Sequence, residues 1–388
     1  MMENFIYQRT TELIFGKDQI VLVGEKASAF GRKILLVSYG GAFNENVYYK
    51  QVVSSLKAAG LTVYELGEIK PNPDISKVRE GIGICREKGI DLVLGVGGGS
   101  VIDTCKTIAL GYYLQEDPWE IFTSGKMPEQ ALPIGVVVTL AATGSEMNAS
   151  AVITNAQTEQ KLSFRSQLVV PKFSILDPRL TFTVPKEHTV YGIVDIAAHV
   201  YEQYFDQVPD TPIQDRMAES VLQTLIEESD KVIADPQDYG ARANIMLAST
   251  LGFNGILGIG KATDWASHKI QHELGAIYDI PHGGGLAIIF PNWMKYVCEA
   301  GLGKFVQYAT RVFKVDPTGK SEKEIALEGI ERTRAWFNSM GAPSRLADYS
   351  IGEEHLELMA EKATKNGPLG NFKKLYKEDV LAILRMSL

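Results

Sequence analysis

Between residues 33 and 139, short apolar runs alternate with segments of helical spacing, and no other feature limits the fold of this 388-residue chain so tightly. Lys33–Tyr39 is apolar, with turn residues behind it, and reads as a buried strand. Over 44–59, Val47, Val52, Leu56 and Ala59 share one helical side, and Gly60 is a stop. Leu61–Leu66 is a second strand. In Pro71-Asn-Pro-Asp74, the aspartate can cap a helix over 75–88 that Gly89 ends. Asp91–Val96 is a third strand, a helix follows Ser100, and Leu132–Thr139 is a fourth strand. Strands and helices alternating at these lengths imply an α/β, doubly wound parallel sheet.

The character changes after Leu140. Residues 150–176 read as short strands and turns, and beyond Pro185 only helices are expected, at 186–206, 212–233, 239–257, 262–275, 285–299, 303–313, 321–340 and 353–365. The expected division is therefore an α/β domain over 1–184 and an all-α domain over 185–388. Lys and Arg total 39 against 47 Asp and Glu, so the net charge is 39 − 47 = −8, which argues against nucleic acid as a partner. No apolar run reaches the roughly 18–20 residues of a membrane span. Met1–Thr10 lacks the basic and apolar regions of a secretory leader, and Cys85, Cys105 and Cys298 form no CxxC pair. A cytoplasmic protein with no membrane partner is expected.

Two loops invite a cofactor. In Gly95-Val-Gly-Gly-Gly-Ser-Val-Ile-Asp103 an apolar strand runs into three glycines and a serine before a helix. Glycines admit a close-lying pyrophosphate, and amide N–H groups at a helix N-terminus attract its charge. The spacing is neither a P-loop nor GxGxxG, and the same residues also suit a tight turn with no ligand. Thr139-Leu-Ala-Ala-Thr-Gly-Ser-Glu146 follows the fourth strand and offers hydroxyls at Thr139, Thr143 and Ser145, where open α/β sheets bind ligands.

Four of the six histidines fall between 199 and 282. Asp195 and His199 are spaced i, i+4, as are His268 and His272, and His282 lies in Pro281-His-Gly-Gly-Gly285. Each histidine alone reads as structural. Together, one carboxylate and three imidazoles suit Zn²⁺ or Fe²⁺. A phosphate loop in one half and a metal in the other suggest metal-assisted hydride transfer.

These residues resemble the iron-containing (group III) alcohol dehydrogenase family, nearest its butanol dehydrogenase and NADPH-dependent aldehyde reductase branch. The resemblance runs the length of the chain, through Pro71-Asn-Pro73, Gly97-Gly-Gly-Ser-Val-Ile-Asp103, Ala142-Thr-Gly-Ser-Glu146, Leu176-Asp-Pro178, Asp195 with His199, Gln214-Asp215, Ala241-Arg-Ala-Asn244, His268 with His272-Glu-Leu274, and His282-Gly283. It implies a dinucleotide-binding first domain and a metal- and substrate-binding second domain. It implies Asp195, His199, His268 and His282 as ligands of Fe²⁺ or Zn²⁺, and His272 as the catalytic proton relay. Gly97, Gly98, Gly99 and Ser100 would hold the pyrophosphate, Asp103, Thr139, Ser145 and Lys161 would line the cofactor site, and Leu180 would sit near the adenine. It also implies a homodimer paired near Thr11–Phe15.

At the corner after the first strand, Ser38-Tyr-Gly-Gly41 carries no acid, so Gly40 and Gly41 leave room for a 2′-phosphate and NADP(H) is favoured over NAD(H). The following Ala42-Phe-Asn-Glu45 departs from the serine and basic residues of NADP-using relatives, which keeps NAD(H) open. The expected activity interconverts primary alcohols and aldehydes. The alternatives are a dehydroquinate synthase-like or glycerol dehydrogenase-like enzyme acting on a polar substrate, or a non-catalytic binding protein. Dehydroquinate synthase needs several Lys or Arg beside its metal, and the Asp/His segments here lack them.

Overall fold

The computed structural model describes residues 1–388. It divides into two compact units, Gln8–Val184 and Pro185–Leu388, the latter joined by Met1–Tyr7. The first seven residues thus lie with the helices rather than with the sheet, and Glu3 donates its amide to the Gly260 carbonyl at 3.0 Å.

In chain order the first unit holds β1 (Glu12–Phe15), α1 (Val23–Ser28), β2 (Lys33–Ser38), α2 (Val47–Ala58), β3 (Thr62–Leu66), α3 (Ile75–Lys88), β4 (Leu92–Gly97), α4 (Gly99–Gly111), α5 (Glu120–Thr123), β5 (Ile134–Val138), β6 (Ser150–Asn155), β7 (Gln160–Arg165) and β8 (Phe173–Leu176). Six strands form one parallel sheet in the order β1-β8-β5-β4-β2-β3, while β6 and β7 form a separate antiparallel hairpin. β4 and β5 are buried along their whole length, as strands covered on both faces must be. The chain runs outward from β2 to β3, returns past β2 to β4, then proceeds the other way. The order therefore reverses between β2 and β4, whose carboxyl ends flank the crevice where such sheets bind ligands.

Side chains and glycines set the helix limits. Asp74 accepts the Ser76 amide at 2.8 Å to begin α3, and Gly89 closes it at φ 64°. The other Asp74 oxygen accepts the Ala156 amide at 3.2 Å, and Thr154 donates to the Pro73 carbonyl at 2.8 Å. The Pro71–Asp74 turn thus anchors the β6–β7 hairpin.

The second unit holds α6 (Lys186–Tyr204), α7 (Pro212–Ala234), α8 (Tyr239–Phe253), α9 (Ala266–Tyr278), α10 (His282–Val297), α11 (Leu302–Arg311), α12 (Glu322–Met340), α13 (Leu356–Thr364) and α14 (Lys377–Met386). α10 packs against both α6 and α9, so three helices remote in sequence share one core. α1 and α14 lie outside the helices expected from sequence, while β6, β7 and β8 fall within the short strands expected over 150–176.

Candidate metal and cofactor sites

α6 is buried from Ile193 through Tyr204. Asp195, His199 and Glu202 are spaced i, i+4, i+7 and fall on one stripe of it. α9 carries His268, Gln271 and His272, and α10 opens with His282 behind Pro281. Three glycines let α10 close on its neighbours. A side chain at Gly283 would collide with the Tyr191 carbonyl of α6, one at Gly284 with the Tyr349 hydroxyl, and one at Gly285 with Gln271 of α9.

This packing brings three imidazole nitrogens to one carboxylate oxygen. Asp195 Oδ1 lies 3.5 Å from His199 Nδ1, 3.8 Å from His268 Nε2 and 3.5 Å from His282 Nε2. A tetrahedral ion with bonds of about 2.1 Å separates its donors by roughly 3.4 Å. Asp195, His268 and His282 each place one ligand atom within 4.8 Å of both others; His199 is outside that trio and approaches through Asp195. Asp195 Oδ1, His199 Nδ1 and His268 Nε2 are buried and make no hydrogen bond. Buried polar atoms left unpaired are costly, and a divalent cation would satisfy them all, so the residues fit such an ion.

The electrostatics agree. Burial drives His199 down to about 4, against the pull of Asp195, so its ring is neutral. Burial also opposes charge on His268, but the Asp195 and Glu202 carboxylates outweigh it and hold that ring up to about 9. The pocket is a negative well. His282 stands at the first position of α10.

Buried acceptors orient two of the rings. His268 Nδ1 is 2.9 Å from Glu202 Oε1, and His282 Nδ1 bonds Gln271 Oε1. Sequence reasoning singled out neither Glu202 nor Gln271, although the i+7 spacing from Asp195 was a legible signal for Glu202. On the far side His199 stacks on Phe253 at 4.4 Å between centroids, and Trp265 lies 4.9 Å from Phe253, giving an apolar wall. His272 is half-buried, its ring centroid 5.8 Å from that of His282.

In the first unit, the loops after β2 and β4 meet at the switch point. Gly98 donates its amide to the Tyr39 hydroxyl at 2.8 Å, so that N–H is already engaged. The first-turn amides of Gly99 and Ser100 point out of the start of α4 by helix geometry and fit an anion. The glycines also serve packing: a side chain at Gly97 would strike Val101, at Gly98 Leu140 and Tyr39, and at Gly99 Thr143. Gly40 has φ 71° and abuts the Glu68 amide, whereas Gly41 faces open space.

The remaining sequence-selected residues are engaged internally. Asp103 accepts from Ser145 Oγ at 2.6 Å and from the Val152 amide at 2.9 Å. Lys106, fully buried, donates to Ser145 Oγ, to the carbonyl and side-chain oxygens of Asn148 and to the Ser150 carbonyl, all at 2.8–3.0 Å. Thr139 donates its amide to the Gly97 carbonyl at 3.0 Å. Lys161 donates to Asn72 Oδ1 at 2.8 Å, tying the hairpin to the Pro71–Asp74 turn. Leu180 packs in the sheet's core with Tyr49 and Val96.

Comparison with known proteins covers the chain nearly end to end. Residues 10–178 match the family described as iron-containing alcohol dehydrogenase, and residues 189–388 match the Fe-containing alcohol dehydrogenase family, C-terminal. The chain is 52% identical over 390 residues to a probable NADH-dependent butanol dehydrogenase 2 of Bacillus subtilis, with all of both chains covered. It is 38% identical over 369 residues to the NADPH-dependent aldehyde reductase YqhD of Escherichia coli, covering 94% of each. The crystal structure of an NADH-dependent butanol dehydrogenase A from Thermotoga maritima superposes with a TM-score of 0.95 at 40% identity, covering 100% of this chain and 99% of that one.

Proposed function

We propose a function from one premise: the chain belongs to the iron-containing alcohol dehydrogenase family. It is a metal-dependent oxidoreductase that interconverts primary alcohols and aldehydes with NAD(P)(H), its preferred substrates being uncharged and of butanol size. The observation that carries this reading is the convergence of three imidazole nitrogens on Asp195 Oδ1, with buried donor atoms left unpaired.

Bound there, Fe²⁺ or Zn²⁺ supplies Lewis acidity toward a carbonyl or alcohol oxygen, and a reduced nicotinamide supplies the hydride. The chain's residues do the rest. Asp195, His268 and His282 ligate the ion, and His199 adds a fourth donor. Phe253 and Trp265 keep water from one side of the pocket and favour an apolar substrate over the polar ones of the alternative readings. His272 holds the proton exchanged with the substrate oxygen. The amides of Gly99 and Ser100 bind the pyrophosphate. Gly97, Gly98, Asp103, Thr139, Ser145 and Lys161 shape the loops around it, and Leu180 backs the adenine side.

NADP(H) is favoured because no acid stands at Ser38–Gly41 and Gly41 is open. An NAD(H) preference is the second reading. Lys50, a cation close by in sequence, is bound to Glu45 at 2.7 Å, and relatives at 52% and 40% identity are named as NADH-dependent. β1 lies at the sheet's edge, supporting a homodimer that pairs there. No helix is long and apolar enough to cross a membrane, and the three cysteines are free and buried; cytoplasm is the proposed location.

The test is oxidation of NADPH and NADH over a straight-chain aldehyde series, before and after chelation. Activity that chelation abolishes and Fe²⁺ or Zn²⁺ restores supports the function; chelation-insensitive turnover contradicts it. A kcat/KM ratio of NADPH to NADH above one supports the first cofactor reading, and below one the second.

A further inference from the structure

We infer that Glu202 is a positioning residue that fixes the tautomer and the place of His268, and so sets how tightly the chain holds its ion. The inference rests on the metal-site reading above. Glu202 is fully buried, and both of its oxygens are engaged by the segment that opens α9. Oε2 accepts the Trp265 amide at 2.6 Å; Oε1 accepts the His268 amide at 3.2 Å and lies 2.9 Å from His268 Nδ1.

A carboxylate can only accept, so the proton sits on Nδ1. Nε2 is then the ring nitrogen left for an ion, and it faces Asp195 Oδ1, 3.8 Å away. The amide bonds do separate work. Trp265 precedes α9 in a left-handed conformation, φ 69°, that a bulky residue rarely adopts, and Glu202 binds its N–H directly. One side chain thus fixes the first turn of α9, the rotation of the imidazole and its protonated nitrogen. Because Glu202 lies on the same α6 stripe as Asp195 and His199, it positions a ligand of another helix relative to two groups of its own. Gln271 bonds His282 Nδ1 in the same manner but through an amide oxygen.

The experiment is competition between the holoenzyme and a chromogenic chelator, for wild type, E202Q, E202D and D195N. Second-sphere partners of ligating histidines are worth about 10–100-fold in metal affinity, so E202Q is expected to lose the ion at least tenfold more readily, with E202D between it and wild type. Affinity within twofold of wild type in E202Q, while D195N loses the ion, overturns the Glu202 inference alone. If D195N also keeps its ion, the metal-site reading falls and this inference with it. A measurement on wild type needs no variant: in the Zn²⁺ protein labelled with ¹⁵N-histidine, the His268 proton is expected on Nδ1, and finding it on Nε2 overturns the proposal.

Discussion

The Tyr39 hydroxyl accepts the Gly98 amide N–H at 2.8 Å, joining the two loops that part at the reversal point of the sheet. Gly98 is buried, so this N–H has no route to water. Tyr39→Phe is expected to lower unfolding free energy by about 1–3 kcal/mol, the usual cost of stranding a buried donor. Urea denaturation of the cofactor-free protein measures it, and bound metal should not change.

Lys106 draws together Ser145, Asn148 and Ser150, and Ser145 in turn bonds Asp103. Lys106→Met removes the cation and strands its acceptors. Breaking a buried charged network costs about 3–5 kcal/mol. The variant should lose that much stability and bind NAD(P)H more weakly, as read by nucleotide fluorescence, while wild-type values for both would contradict the role given to this network.

Gly283 lets the first turn of α10 lie against the backbone of α6. Gly283→Ala forces the two apart, an overpacking that costs about 1–3 kcal/mol or more. Because His282 is the preceding residue, the variant should also retain less metal, measured as ions per chain after dialysis.

The thiols should be silent. Burial pushes Cys85 up to about 12, raises Cys105 further still and also raises Cys298. A thiolate is the reactive form, so at pH 8 the folded protein should leave Ellman's reagent unreacted over minutes, and denaturant should release all three thiols.

The sheet was readable because its buried strands are unbroken apolar runs closed by glycine, as at Leu92–Gly97. α14 went unread although its buried residues Val380, Ile383 and Leu384 repeat at helical spacing, and the interior strand β8 was legible only as one of the short strands over 150–176, because four residues carry too little periodicity to fix its bounds. Asp195, His199, His268 and His282 stood out by residue type, and the structure brings the three rings to within 3.5–3.8 Å of the carboxylate. Glu202 and Gln271 did not stand out, because a glutamate or glutamine on a helix ordinarily faces water; only tertiary packing shows that both are buried. Gly283, Gly284 and Gly285 serve the close approach of α10 to its neighbours, a purpose that only the packing shows.

The most direct measurement is anomalous diffraction from crystals of the protein at the iron and zinc absorption edges. The account predicts one peak per chain, about 2.0–2.2 Å from a carboxylate oxygen of Asp195 and from His268 Nε2 and His282 Nε2. Density for these side chains with no peak among them in metal-replete crystals, or a single peak elsewhere in the chain, would contradict it.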